Sequence, residues 1–174
     1  MTEFEALYRR YAQDVYRFSL YLCGEHAAAE DITSETFVRA WNSSGEIRAA
    51  TAKAYLFTIA RNCYREGLRR GRARGGPPGG GHAELDDSLA DPSALPDAAA
   101  AGRSELARVM AALAGLAEEE RTVLLLRAQE EWTYEEIAQA TGLSLAAVKV
   151  KIHRARLRLA AWREAEKKRE GEKA

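Results

Sequence analysis

The 174-residue sequence contains only two cysteines and three histidines. Cys23 and Cys63 form no CxxC motif, so the chain lacks the ligands of a zinc site and the cysteine density of a disulfide scaffold. We expect both cysteines to be buried small hydrophobic residues, with a redox pair as the less favoured alternative. The sequence predicts no metal and no cofactor.

Long apolar runs are also missing, although 47% of the residues are hydrophobic. No run approaches the roughly 18 residues that a membrane-spanning helix needs. Residues 1–10 mix acids and arginines with no apolar segment behind them, which is not the pattern of a secretory signal. We expect a protein that does not insert into a membrane by itself, and the cytoplasm is the expected compartment.

Catalytic motifs are absent as well. The glycines of residues 75–81 lack the lysine and the helix start of a phosphate-binding loop, and no serine or cysteine nucleophile has a histidine nearby. We therefore predict that the chain is not an enzyme.

The net charge of zero conceals a strong segregation of charge along the chain. Residues 47–76 carry a net charge of +7 and residues 145–163 a net charge of +6. Acidic segments flank them, with net charges of −4 over residues 1–46 and −7 over residues 77–120. Because clustered lysines and arginines neutralise phosphates locally, the pattern indicates two nucleic-acid-binding segments.

Apolar residues recur at three- and four-residue steps, and no stretch alternates with period two for long, which predicts an all-α protein. A run rich in glycine and proline near residues 71–81 interrupts the helices. A loop of about 30 residues is uncommon inside one domain, so we expect two small helical domains on a flexible tether. The predicted segments are a first domain at 1–72, an acidic linker at 73–102, a second domain at 103–164 and a charged tail at 165–174.

The second domain contains the signature of a helix-turn-helix. Thr133 and Glu136 form a capping box at the start of one helix. Gly142 supplies the turn, Leu143 is expected to fill the core between the helices, and Ser144 caps the second helix. In that second helix four residues fall on one inward face: Val148, Ile152, Ala155 and Leu159.

The opposite face of the second helix presents small and cationic side chains: Ala146, Lys149, Val150, His153 and Arg154, flanked by Ala147, Lys151 and Arg156. A merely solvated basic face is the alternative interpretation. The absence of any acid between residues 145 and 163, directly after a capped turn, favours insertion into a DNA major groove. His153 fits a base or phosphate contact better than a metal site, because no second ligand is near.

Residues 116–127 (LAEEERTVLLLR), 134–138 (YEEIA) and 148–156 (VKVKIHRAR) resemble region 4 of the extracytoplasmic-function sigma factors of the sigma-70 family. In that family this domain recognises the −35 promoter element through the second helix. The resemblance implies DNA contacts from Ala147, Lys149, Val150, His153 and Arg154.

Residues 28–41 (AAEDITSETFVRAW) predict an amphipathic helix with Ile32, Phe37, Val38 and Trp41 available to the core. Its acidic outer side suits either a partner or water. The segment resembles region 2.2 of the same family, which implies that Asp31, Ser34 and Glu35 bind core RNA polymerase. Ser34 stands where glutamine is common.

Residues 55–70 (YLFTIARNCYREGLRR) interleave aromatic residues with arginines, a composition that suits single-stranded DNA. Phe57 is expected in the core, whereas Tyr55 and Tyr64 fit either core or surface. The segment is similar to regions 2.3 and 2.4. This implies capture of a flipped −10 base by the loop at 46–53, and strand binding by Asn62, Arg65, Arg69 and Arg70.

The acids of the linker resemble the segment that such factors thread through the polymerase, although a plain disordered tether explains them equally well. These acids are Glu84, Asp86, Asp87, Asp91 and Asp97. The sequence thus predicts a sigma factor that binds core RNA polymerase and promoter DNA, both duplex and melted, and the family implies an anti-sigma factor as a further partner. The alternative is a conventional helix-turn-helix regulator that binds duplex DNA without polymerase. A purely structural protein leaves both basic segments unexplained.

Overall fold

The computed structural model describes residues 2–43, 51–73 and 96–172, with side chains from residue 102 in the last range. Within these ranges the regular structure is helical, which confirms the all-α prediction. The helices are α1 (Glu3–Cys23), α2 (His26–Asn42), α3 (Ala52–Ala73), α4 (Pro96–Ala114), α5 (Glu118–Ala128), α6 (Tyr134–Thr141) and α7 (Leu145–Glu172). None of the described helices combines the length and apolar character that crossing a membrane requires.

Two compact units divide the chain, and the first contains α1, α2 and α3, each packed against the other two. α1 begins where the Thr2 hydroxyl accepts a hydrogen bond from the Glu5 amide at 3.2 Å. It ends at Gly24, whose φ of 77° suits a residue without a Cβ. The local sequence therefore sets both ends of this helix.

The core of the first unit is built from large apolar side chains of α1 and α3. Phe18 and Phe57 contact each other with ring centroids 4.8 Å apart. Val15, Leu22 and Leu56 are also completely buried. Burying one such side chain stabilises the fold by about 1.5–3 kcal/mol, so this contact holds α3 in place against α1.

The second unit contains α4, α5, most of α6, and α7, with α7 packed against α4 and α5. The linker was predicted to reach residue 102, but α4 already begins at Pro96. Proline suits the first position of a helix, and the alanines at 98–101 have the highest helix propensity. Residues 74–95 of the predicted linker lie outside the described residues.

α7 extends well beyond the predicted second domain, and most of the predicted tail is helical. Its inward face continues past Ile152 and Ala155 through the half-buried side chains of Trp162 and Glu166. Near its end Glu170 pairs with Arg108 of α4 at 2.8 Å. The tail is therefore part of the second unit.

The buried Arg121 of α5 closes the carboxyl end of α4. Its guanidinium donates hydrogen bonds to the carbonyls of Leu113 and Leu116, both at 2.9 Å. These two carbonyls belong to the end of α4 and the loop after it, where helix carbonyls have no partner within the helix. The Arg121 side chain thus donates the hydrogen bonds that water would otherwise donate to these carbonyls.

We expect Arg121→Met to lower the free energy of unfolding of the second unit by about 2 kcal/mol, because it removes two buried hydrogen bonds and, among the described residues, leaves the Leu113 carbonyl with only the Leu116 amide at 3.0 Å. The midpoint of thermal unfolding, followed by circular dichroism, should fall by roughly 8 °C or more. Arg163→Met is the matched control, since Arg163 is exposed on α7. Equal midpoints for the two variants would contradict a closing role for Arg121.

Candidate nucleic-acid and protein interfaces

The helix-turn-helix is formed as the sequence predicts. The Thr133 amide donates to the Glu136 carboxylate at 2.7 Å, and the Glu136 amide donates to the Thr133 hydroxyl at 3.2 Å. Gly142 adopts a φ of 73° in the turn. The Ala147 amide then donates to the Ser144 hydroxyl at 3.1 Å, which starts α7. Leu143, predicted to fill the core, is half-buried, and so is Leu159 of the predicted inward face.

The first half of α7 separates an apolar face from a cationic one. Val148, Ile152 and Ala155 are buried, as predicted for the inward face. The candidate −35 residues lie elsewhere on the helix: Lys149, Val150, His153 and Arg154 are exposed and Ala147 is half-buried. This arrangement leaves a surface of small and basic side chains available to a partner.

Not every cation of α7 belongs to that surface. Lys151 pairs with Glu119 of α5 at 2.7 Å, and Arg158 pairs with the buried Glu120 at 3.2 Å. The charges of Lys151 and Arg158 are thereby partly neutralised within the unit. Arg154 makes no ion pair within the part of the chain that the structure describes, so its charge remains available to a ligand.

Tyr134, which sequence reasoning missed, lies beside the cationic face. Its ring has the Arg127 guanidinium 5.1 Å away and the Lys149 ammonium 6.0 Å away. Both cations are attracted to the ring, which restricts where Lys149 points. In the sequence, Tyr134 is recognisable only as an aromatic residue directly after the helix cap. Its partners cannot be predicted from the sequence, because they depend on how α5, α6 and α7 pack together.

The exposed face of α2 contains the predicted polymerase-binding residues Asp31, Ser34 and Glu35. Val38 and Trp41, predicted to be available to the core, are instead 53% and 61% exposed. The inward positions are filled by Ile32, Thr33, Thr36, Phe37 and Ala40.

Positions 31, 34, 38 and 41 share one helix face, so Val38 and Trp41 extend the acidic surface with an apolar end. The Trp41 ring rests edge-on against Phe4 of α1 with centroids 4.7 Å apart. We call the set Asp31, Ser34, Glu35, Val38 and Trp41 the α2 face.

The predicted strand-binding residues share one exposed face of α3. Asn62, Arg65, Arg69 and Arg70 are exposed there, and we call these four residues the α3 face. Tyr55 lies two turns before Asn62 and is 37% exposed, whereas Phe57 and Tyr64 are buried. The core interpretation therefore holds for Phe57 and Tyr64, and Tyr55 belongs to the surface.

The predicted base-capturing loop at 46–53 falls largely on residues 44–50, which lie outside the described residues. Its last two residues, Ala52 and Lys53, differ from the prediction because they already belong to α3. Lys53 pairs with Asp14 of α1 at 3.1 Å, which fixes the start of α3 against α1.

A groove of about 740 Å³ runs between α2 and α3. Cys23 and Cys63 both line it as free cysteines, and both are buried, as predicted. Burial raises the pKa of the Cys63 thiol, which keeps it protonated and weakly nucleophilic.

Arg39 bridges α2 and α3 beside this groove. Its Nη1 and Nη2 donate to the two carboxylate oxygens of Glu66 at 2.9 and 2.8 Å, and its Nε donates to Glu35 at 2.6 Å. These carboxylates, Glu66 first, raise the pKa of Arg39 above its usual value. In return, the hydrogen bonds from Arg39 lower the pKa of Glu66.

Comparison with known proteins matches both units to one family. Residues 7–74 match Sigma-70 region 2 and residues 106–159 match Sigma-70, region 4. The ECF RNA polymerase sigma factor SigL of Mycobacterium tuberculosis is 34% identical over 150 residues, which cover 85% of this chain and 81% of SigL. The chain belongs to the extracytoplasmic-function sigma factors of the sigma-70 family.

Other relatives of this sigma factor agree. The RNA polymerase sigma factor YlaC of Bacillus subtilis is 29% identical, over 89% of this chain and 88% of YlaC. The sigma factor RpoE of Bartonella quintana, solved in complex with the anti-sigma factor NepR, superposes with a TM-score of 0.76. It is 25% identical and the match covers 94% of this chain and 98% of RpoE. The predicted family, fold and function as a sigma factor are thereby confirmed.

Proposed function

We propose that this sigma factor uses three separate helix faces for three binding tasks. The α2 face binds core RNA polymerase, the α3 face binds the melted −10 strand, and the cationic face of α7 recognises the duplex −35 element. The chain supplies binding and no catalysis, because the chemistry of RNA synthesis belongs to the polymerase. Since bacterial transcription takes place in the cytoplasm, the proposal assigns the protein to that compartment.

The supporting observation is the chemical difference between the three faces. The α2 face combines acids with an exposed tryptophan, which suits a protein partner with basic and apolar groups. The α3 face offers arginines and an exposed tyrosine, which suit phosphates and unstacked bases. The α7 face offers Lys149, His153 and Arg154 on a capped second helix, the element that enters a major groove.

Run-off transcription tests this proposal. Purified core polymerase is given fragmented bacterial DNA with and without the protein, and the start sites are mapped. We expect new start sites that share two spaced sequence motifs. No new start sites, together with tight duplex binding by the protein alone, would instead favour the conventional regulator.

An anti-sigma factor is the further partner that we propose. The support is that the similar RpoE was solved in complex with the anti-sigma factor NepR. The exposed apolar end of the α2 face, Val38 and Trp41, is a surface that such a partner would cover, since large exposed apolar patches mark interaction sites. Occupation of that face would compete with polymerase binding.

A further inference from the structure

Glu66 is an acidic residue within the basic segment that contains α3. It is the only acidic residue between positions 47 and 76, a segment with eight basic residues. It lies next to the α3 face, which we assign to the DNA strand in the proposed function. An unpaired carboxylate there would repel phosphates.

An unpaired Glu66 would also compete with the DNA strand by forming ion pairs with neighbouring arginines. Glutamate pairs favourably with a cation four residues further along a helix, and Arg70 occupies that position. Arg70 and Arg69 already help to lower the pKa of Glu66, after the larger effect of the Arg39 hydrogen bonds. An unrestrained Glu66 would therefore withdraw Arg70 from a phosphate.

Arg39 prevents this from the neighbouring helix. Both Glu66 oxygens are engaged by its two terminal nitrogens in a bidentate pair, the strongest geometry for a guanidinium and a carboxylate. The Nε of Arg39 donates to the carboxylate of Glu35 in the α2 face, which fixes the guanidinium in position. The side chains of Arg39 and Glu66 are each 37% exposed, so the pair lies at the surface of the unit.

We propose that Arg39 is a positioning residue for strand binding. By holding Glu66, Arg39 keeps Arg69 and Arg70 of the α3 face available for phosphates, and it links α3 to the proposed polymerase-binding α2 face through Glu35. The inference rests on the proposed function, because it assigns a role within the same strand-binding surface.

The test compares the wild type with R39M, E66Q and the R39M/E66Q double variant, each assembled with core polymerase. The probe is a labelled oligodeoxythymidine of about 12 nucleotides, within the span of one binding module. Binding is measured by fluorescence anisotropy over a range of salt concentrations. Thermal unfolding of each variant reports whether it is folded.

We expect R39M to weaken oligonucleotide binding by about fivefold, the loss of one charge-assisted contact. The slope of log affinity against log salt should fall by about one, as for a lost phosphate contact. E66Q should bind at least as well as the wild type, and the double variant should recover wild-type affinity.

A merely structural pair gives a different pattern, because E66Q breaks the pair as surely as R39M does. In that case both single variants would bind weakly and the double variant would show no rescue, which would overturn the inference. If even the wild-type protein forms no complex with core polymerase, the proposed function fails first and the inference falls with it. A holoenzyme that binds the probe equally well with R39M would overturn only the inference.

Discussion

Trp41→Ala is expected to lower the affinity of the sigma factor for core RNA polymerase by about 30-fold, or about 2 kcal/mol. Trp41 is 61% exposed at the end of the α2 face, beside the exposed Val38. Large aromatic side chains that become buried on association dominate the energy of protein interfaces. The measurement is a titration of labelled protein with core polymerase, followed by fluorescence anisotropy.

Trp162→Ala is the matched control for this change. It removes the same side chain from the far part of α7, where Trp162 is half-buried within the second unit. Polymerase affinity should then stay within about twofold of the wild type, since substitutions outside an interface have small effects. Comparable losses for both variants would mean that α2 provides no specific docking surface.

Asp31→Ala should act in the same direction as Trp41→Ala but with a smaller loss, because charges at an interface edge mainly affect the association rate. Its effect should diminish at high salt, whereas that of Trp41→Ala should persist.

Arg154→Ala is expected to weaken binding of the holoenzyme to promoter duplex by about 30-fold, and to relax base preference in the −35 element. One good bidentate contact between arginine and a base is worth about 1–3 kcal/mol of discrimination. Arg154 is exposed on the cationic face of α7 and has no ion-pair partner among the described residues. The measurement compares affinities for promoters isolated by run-off transcription, with intact and substituted −35 elements.

Arg158→Ala is the control on the same helix. Arg158 has the same chemistry and is also exposed, but it pairs with Glu120. We expect it to leave base preference unchanged. Polymerase affinity should be intact in both arginine variants. An equal loss of docking and −35 recognition in Arg154→Ala would overturn the assignment of separate tasks to separate faces.

The helix-turn-helix could be predicted almost residue by residue, because its determinants are local. A capping box and a hydroxyl cap each involve residues three positions apart, and the turn needs only Gly142 with a positive φ. The sets Asp31, Ser34, Glu35 and Asn62, Arg65, Arg69, Arg70 were likewise expected on the surface, where the structure places them. Their assignment to polymerase and DNA stays a prediction.

The prediction that Val38 and Trp41 are available to the core is wrong, because apolar character alone does not specify burial. Val38 and Trp41 are apolar, yet Ile32 and Phe37 already fill the inward side of α2. A helix has one inward side in a small three-helix unit, so further apolar residues remain exposed. Their exposure follows from helix phase, which apolar content alone does not specify.

Contacts between residues far apart in the sequence could not be predicted, for a different reason. Arg39 and Glu66 are 27 positions apart, and Lys151 finds Glu119 on another helix. Such pairs depend on the distance and angle at which helices pack. A one-dimensional pattern records the charges but not the partners they meet.

The proposed recognition element is the first part of α7, a helix that continues to Glu172 without a break. With a rise of 1.5 Å per residue, its 28 residues span about 42 Å. The ion pair between Glu170 and Arg108 joins the distal end of this helix to α4, so the helix that carries the proposed DNA-binding residues Lys149 and Arg154 is anchored within its unit at both ends.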